Sequence, residues 1–131
     1  MARSLTLLLV VVAVFLSVGC GKENETEKVA ATAKLYYDCL LDGRYDEYVA
    51  GIDGSDSIPG SYREQLRDNA KMFLARQRQL HKDIDEFVVS DAVIDADSHT
   101  ANVFLVVNYA DSTSEQIVVP LVERGGVWKM R

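Results

Sequence analysis

The hydrophobic pattern of this chain changes its period near residue 86, and this change limits the fold more than any other feature. Before it, apolar residues recur at helical spacing over residues 29–40, 44–50 and 59–80. After it, apolar and polar residues alternate, which is typical of half-buried strands. Helices followed by strands predict an α+β domain, with three N-terminal helices packed on a curved four-stranded antiparallel meander.

Glycines and capping residues set the predicted ends of the helices. Gly43 follows the first helix and is free to take the left-handed conformation that often ends a helix. The third helix has two possible starts, because Pro59 suits a first helical position and Ser61 with Glu64 forms a capping-box pattern. The stripe of this helix predicted to face the core carries Tyr62, Leu66, Asn69, Ala70, Phe73, Gln77 and Leu80.

The four strands follow in quick succession. The first is predicted to place Phe87, Val89 and Val93 on one face. A Gly125-Gly126 pair predicts a tight hairpin before the last strand. Pro120 cannot donate to a strand ladder, so we expect an outward-pointing nitrogen or a bulge there. One face of the second strand carries Ala101, Val103, Leu105, Val107 and Tyr109, and the other carries Asn102, Phe104, Val106 and Asn108.

The first nineteen residues have the layout of an export signal. Arg3 precedes an uncharged apolar run over residues 5–16, and the chain turns polar directly after Cys20. A membrane-spanning helix needs about 20 apolar residues, so the short run favours a signal over a transmembrane helix. An ordinary secretory signal, cleaved after the small residues 17–19, is the other alternative.

The small residue before Cys20 makes this stretch resemble a bacterial lipoprotein signal, in which the cysteine becomes lipidated. Ser17 departs from that pattern, which usually has an apolar residue there. The resemblance implies a signal peptide over residues 1–19, a lipidated Cys20 with a tether over residues 20–27, and a domain over residues 28–131. Two or more acyl chains, such as palmitate, hold a protein stably on a membrane.

The same resemblance implies an exported protein anchored to the bacterial outer membrane, periplasmic or surface-exposed. Lys22 and the acidic residues after it are similar to signals that sort some lipoproteins to the outer face of that membrane. The alternative is a solvated linker whose acidic residues lie at the start of a helix.

The charge of the chain excludes two classes of partner. After residue 19 there are 13 basic and 20 acidic residues, a net charge of −7. Nucleic acids and anionic lipid surfaces both require a basic face, so we expect neither to bind through charge. No zinc or calcium pattern is present, and we predict no metal or cofactor. If Cys20 is lipidated, Cys39 has no disulfide partner and is predicted to be a small buried hydrophobe.

The order of the elements, with the closing Gly-Val-Trp-Lys, resembles the cone-shaped nuclear-transport-factor-2-like superfamily. Residues 56–59, 62–66 and 99–104 are similar to small lipoproteins of Gram-negative bacteria that carry this domain. The resemblance covers residues 27–131. It implies a cavity inside the cone, where catalytic members place an Asp, His or Tyr. It also implies that two domains can pair through their sheets.

The predicted inner surfaces offer tyrosines and amides rather than a carboxylate or histidine. The preferred hypothesis is therefore a non-catalytic binding or protein-interaction module at the envelope, and not an enzyme. The alternative is a small apolar ligand-binding pocket, and an enzyme on the same scaffold is a third hypothesis. Two of the pocket residues are amides that could instead bond the backbone or face the wet rim. The pocket candidates are Tyr36, Asn69, Phe73, Gln77 and Tyr109.

The second face of the sheet is the candidate surface for a protein partner or a second copy of the chain. It is predicted to mix apolar and amide side chains, and a sheet that is apolar on both faces often has a partner on one of them. Alternatively, the sheet curls and loops cover this face. The residues concerned are Asn102, Phe104, Val106 and Asn108.

Overall fold

The computed structural model describes residues 22–131, with side chains from residue 25 onward. The predicted signal peptide and Cys20 lie outside this range. The helices are α1 (Lys22–Leu41), α2 (Tyr45–Ala50) and α3 (Gly60–His81), with a 3₁₀ turn at Ser55–Ser57. The strands are β1 (Ile84–Asp95), β2 (Thr100–Tyr109), β3 (Ser114–Arg124) and β4 (Val127–Met130). They form one antiparallel sheet in chain order, which confirms the predicted three-helix, four-strand arrangement.

Helix α1 occupies most of the stretch predicted as a tether. Residues 22–27 form its first turns, so this part of the predicted tether over residues 20–27 is helical. The reason lies in the acidic residues at 25 and 27, which are favourable near the positive end of a helix dipole. The helix ends as predicted, with Gly43 at φ +79°. Within residues 22–131, no helix is long and apolar enough to cross a membrane.

The buried side of α3 differs from the predicted stripe. Ala70 and Leu74 are buried, whereas Tyr62 and Leu80 are 50% and 65% exposed. At 100° per residue, Leu80 lies about 120° around the helix from Leu74. Few large apolar residues occur in this helix, so its periodicity fixes the buried side poorly and packing decides it. The helix begins between the two predicted starts, with Pro59 as N-cap and no side-chain capping bond.

A β-bulge corrects the predicted face of β1. The register between β1 and β2 shifts between the Val89 and Asp91 pairs, so one extra residue stands in β1. Phe87 and Val89 face the core before the bulge, and Ala92 and Ile94 pack on it afterwards. Val93 is 55% exposed instead of sharing the face of Phe87, because a one-residue shift turns every later side chain over.

The remaining strands agree with the predicted alternation. All five residues predicted for the inner face of β2 are buried. Gly125 and Gly126 both have positive φ in the β3–β4 hairpin, as predicted. Pro120 causes no bulge, since the register of β2 with β3 is continuous through it. The Pro120 carbonyl accepts the Arg131 N–H at 3.0 Å. The nitrogen and the carbonyl of one strand residue point to the same side, so the Pro120 nitrogen points past the end of β4 at Met130, where no ladder donor is needed.

The core lies between α1 and the inner face of the sheet. Val29, Ala33 and Leu40 of α1 pack against buried β-strand residues, and Cys39 is buried, as predicted. The segment after α2 closes the β4 edge: Met130 N–H donates to Gly51 O at 2.8 Å and Asp53 N–H donates to Met130 O at 2.7 Å. This short parallel bridge places α2 and the start of α3 beside β4.

Candidate functional site

A small opening, here called the mouth, lies between α1, α2 and α3. Its volume is about 240 Å³. Aromatic rings build one wall, since Tyr37 meets Tyr48 edge-on with ring centroids 5.8 Å apart and meets Phe87 below at 5.3 Å. The amide of Asn69 is the polar group that α3 contributes. The mouth is lined by Tyr37, Leu40, Tyr48, Ile52, Leu66, Asn69, Ala70 and Phe73.

The ionisable groups in the lining of the mouth are two tyrosine hydroxyls. Burial raises the pKa of Tyr37 strongly above its ordinary value, and the neighbouring Tyr48 raises it further. Burial also raises the pKa of Tyr48. Both hydroxyls are therefore neutral at physiological pH, and neither is suited to accept a proton there. The mouth offers apolar contact, hydroxyl groups and one amide.

A larger open groove, here called the groove, adjoins the mouth at Ile52. Its volume is about 1140 Å³. It lies between β4, the segment after α2 and the first turns of α3. The groove is lined by Asp46, Ala50, Ile52, Asp53, Gly54, Ser55, Asp56, Gly60, Ser61, Arg63, Glu64, Arg67, Arg124, Val127 and Lys129.

Internal contacts hold each basic side chain of the groove. Arg67 pairs with Asp46 at 3.1 Å and Arg124 pairs with Asp53 at 3.1 Å. Two backbone carbonyls hold the others, with Arg63 bonded to Ser55 O and Lys129 Nζ bonded to Ala50 O, both at 3.0 Å. Both ion pairs include a largely exposed side chain, Asp46 in one and Arg124 in the other, and such pairs contribute little stability. The groove is consequently polar but nearly balanced in charge.

Tyr36, a predicted pocket residue, lies outside the mouth and joins α1 to β4. Its hydroxyl donates to Trp128 O at 2.7 Å. Its ring lies against Gly51, where an added Cβ would come within 2.5 Å of two ring carbons. This arrangement gives Tyr36 a packing role at the edge of the sheet.

Gln77 and Tyr109 meet at the other end of α3. The Tyr109 hydroxyl lies 2.6 Å from Glu115 Oε1 and 3.1 Å from Gln77 Oε1. A hydroxyl has one proton, which Glu115 accepts, so the Gln77 amide is better turned to donate its N–H. Burial and Glu115 raise the pKa of Tyr109. His81 stacks on the Tyr109 ring at 4.3 Å.

This cluster satisfies its own polar groups. His81 lies 3.4 Å from the Asp111 carboxylate, and its Nδ1 is 3.2 Å from Thr113 Oγ1. The hydrogen bonds from Thr113 hold the pKa of Asp111 below its ordinary value. Across residues 25–131, no three His, Cys, Asp or Glu side chains are arranged to hold a metal ion.

The structure thus divides the five predicted pocket residues among three places. Asn69 and Phe73 line the mouth, Gln77 and Tyr109 form the cluster at the far end of α3, and Tyr36 packs on β4. Six lining residues of the mouth were not among the pocket candidates, although Leu66 and Ala70 belong to the stripe predicted to face the core, and the helical spacing of Tyr37 and Leu40 was available as a signal. The six residues are Tyr37, Leu40, Tyr48, Ile52, Leu66 and Ala70.

The outer face of the sheet is apolar along its middle rows. Register places Val88 beside Val106 and Phe104 beside Val118. Val88 and Val118 are 39% and 50% exposed, and Phe104 and Val106 are partly buried. The predicted candidates Asn102 and Asn108 flank this patch along β2, one on each side of Phe104 and Val106.

Comparison with solved structures identifies the architecture. A Campylobacter jejuni protein, provisionally named an NTF2-like transpeptidase, superposes with a TM-score of 0.60 over 75% of this chain and 92% of its own, at 14% identity. This chain has the nuclear-transport-factor-2-like fold. At that identity the likeness shows the fold alone, and a fold does not by itself determine a function. No protein-family model and no curated protein matches the sequence.

Proposed function

We propose that this chain is an envelope-anchored, non-catalytic interaction module that takes one apolar group of a protein partner into the mouth. The lining of the mouth carries the proposal. Aromatic and aliphatic side chains make up most of the lining, the exposed Asn69 contributes one amide, and the ionisable groups are the Tyr37 and Tyr48 hydroxyls with raised pKa. Such a lining favours apolar ligands. General acid–base catalysis instead requires a group that titrates near the working pH.

The size of the mouth favours a side chain over a free small molecule. Small-molecule pockets usually measure about 300–1,000 Å³, and the mouth measures about 240 Å³. Interfaces commonly concentrate their binding energy on one or two large side chains buried in a pocket of the partner. Because Ile52 lines both openings, the chain flanking the inserted side chain would lie along the polar groove.

Photo-crosslinking in the producing cells tests this interaction. Benzoylphenylalanine placed at Asn69 faces the mouth, and at Met72, which is 68% exposed on the same helix, it lies outside the lining. We expect a protein adduct from position 69 and none from position 72. Equal adducts at both positions, or none at either, would contradict the proposed use of the mouth.

The anchoring part of the proposal rests on the lipoprotein-like signal that ends at Cys20. We expect labelled palmitate to join the wild-type chain and the chain to fractionate with the outer membrane. Cys20→Ala should lose the label, whereas Cys39→Ala, which changes a buried cysteine, should keep it. A labelled Cys20→Ala chain would refute lipidation at this residue.

A small apolar ligand in the mouth is the second candidate function. The three aromatic side chains of the lining favour it, and it would need the mouth to widen beyond its present volume. Native mass spectrometry of the protein purified from cells would show such a ligand as added mass. Phe73→Ala should reduce that mass peak, while Leu80→Ala, on the exposed side of α3, should not.

The outer face of the sheet is a second candidate surface, for a protein partner or another copy of the chain. Its apolar patch of Val88, Phe104, Val106 and Val118 favours a covering partner. Sedimentation equilibrium should report a dimer that Phe104→Glu dissociates, with Val127→Glu as an exposed control away from the patch. If the wild-type chain is a monomer at all concentrations, pairing of two copies is excluded, and the partner of this face would be a different protein.

An enzyme on this scaffold is the third hypothesis. The histidine and carboxylates that it would use are His81, Asp111 and Glu115. These groups lie away from the mouth, where His81 contacts Asp111 and Glu115 accepts the hydrogen bond of the Tyr109 hydroxyl. Turnover of a substrate that disappears in Tyr109→Phe would favour it over the binding module.

A further inference from the structure

Helix α1 begins almost at the proposed lipid anchor. Only Gly21 separates Cys20 from Lys22, the first residue of α1. Because adjacent Cα atoms are about 3.8 Å apart, the Cα atoms of Cys20 and Lys22 lie within about 7.6 Å of each other. Acyl chains on Cys20 would therefore hold the N-terminal end of α1 at the level of the lipid headgroups. This step rests on the proposed lipidation of Cys20.

Contacts from the start of α1 identify which end of the sheet lies beside it. Trp128 Nε1 donates to Glu25 Oε1 at 3.2 Å, which brings the β3–β4 turn next to α1. Glu123 N–H donates to His99 O at 2.8 Å, which places the β1–β2 turn at the same end of the sheet. We call these parts, namely Glu25, residues 96–99 and residues 124–127, the anchor end.

The β2–β3 turn lies at the opposite end of the domain. In a meander, the turns after β1 and β3 share one end and the turn after β2 lies at the other. β2 has 10 residues, which at about 3.3 Å per residue separates the two ends by roughly 30 Å. α1 has 20 residues and spans a similar length, about 30 Å. Ser112 in the β2–β3 turn is therefore far from the anchor end.

We propose that the domain stands end-on on the bilayer, with the anchor end against the headgroups and the β2–β3 turn pointing away. The covalent reach of Cys20 imposes this contact, since the described residues of the anchor end carry no net positive charge, with Glu25 and Asp97 against Arg124. Asp97 is exposed at this end, and Arg124 is paired with Asp53. The groove borders the anchor end through Arg124 and Val127, so its partner would meet it close to the membrane surface.

Spin labels at the two ends test the orientation. The full chain is produced in Gram-negative cells, extracted in detergent and returned to phosphatidylcholine vesicles that contain a nickel-chelating lipid. Labels are attached at Val127→Cys, which is 50% exposed in the wild type, or at the control Ser112→Cys. Cys39 is buried and its raised pKa disfavours labelling. Electron paramagnetic resonance then measures how strongly headgroup nickel relaxes each label.

We expect nickel to relax the label at position 127 several-fold more strongly than the label at 112. Ala96→Cys, in the β1–β2 turn, should behave like Val127→Cys and replaces it if that variant misfolds. Ten Gly/Ser residues inserted after Gly21 should make the labels at 127 and 112 nearly equal, since the domain can then turn freely.

Mass spectrometry of the same samples separates the two proposals. A chain without acyl groups on Cys20 overturns both the anchoring and the orientation. An acylated chain whose labels at 127 and 112 relax equally, or more strongly at 112, overturns the end-on orientation and leaves the anchoring intact.

Discussion

The contact between Gly51 and the ring of Tyr36 gives the sharpest test of the packing. A Cβ at position 51 would lie 2.5 Å from Cδ1 and Cε1 and 2.9 Å from Cζ of Tyr36. Ordinary carbon contacts are about 3.5–4.0 Å, so Gly51→Ala requires the ring or the chain to move by about 1 Å. The backbone itself imposes no cost, because Gly51 has φ −77° and ψ −8°, which any residue adopts.

Both partners in this contact are held in place. The Tyr36 hydroxyl donates to Trp128 O at 2.7 Å, and Met130 N–H donates to Gly51 O at 2.8 Å. Overpacking of a well-fitted site costs about 1–3 kcal/mol. For a domain of this size that corresponds to a fall in melting temperature of roughly 4–12 °C.

Urea unfolding of four variants measures this cost. Gly51→Ala should lower the free energy of unfolding by about 1–3 kcal/mol. The control Gly60→Ala has open space at its Cβ and should be neutral or stabilising by up to about 1 kcal/mol. In a Tyr36→Ala background the cost of Gly51→Ala should nearly disappear, which a double-mutant cycle reports as coupling. A Gly51→Ala chain within about 0.5 kcal/mol of wild type, or additive effects in the cycle, would refute the reasoning.

Two further predictions concern burial and ionisation. Leu74→Ala should cost about 2–5 kcal/mol in urea unfolding, whereas Leu80→Ala, exposed on the same helix, should cost less than about 0.5 kcal/mol; equal costs would contradict the observed orientation of α3. As pH rises above about 10, an unfolded tyrosine loses its proton while folded Tyr37, with its raised pKa, keeps it. The free energy of unfolding should therefore fall by up to about 1.4 kcal/mol per pH unit for this group, and Tyr37→Phe should reduce that slope; an unchanged slope would show that Tyr37 is not the group responsible.

The candidate site was only partly predictable from the sequence. Asn69 and Phe73 were predicted from helical spacing and do line the mouth. Tyr36 was chosen over its neighbour Tyr37, yet Tyr37 reaches the mouth and Tyr36 reaches β4. Adjacent residues on a helix point about 100° apart, and both directions are occupied here, so which tyrosine meets the opening depends on where α2 and α3 pack.

Local interactions determined the order and type of the elements. The change from helical to alternating periodicity near residue 86 predicted the α+β class and the meander, because each period places apolar side chains on one face of its element. Gly43, Gly125 and Gly126 marked chain reversals for a similarly local reason, since glycine adopts positive φ at little cost.

Contacts between distant residues decided the rest. One extra residue in β1 turned Val93 outward, and packing rather than periodicity placed Leu74 instead of Leu80 in the core. The bridge between Ile52 and Met130 joins residues far apart in the chain and forms the groove beside β4. A sequence pattern records which residues avoid water, but it does not record which surface will cover them, and that choice depends on the whole fold.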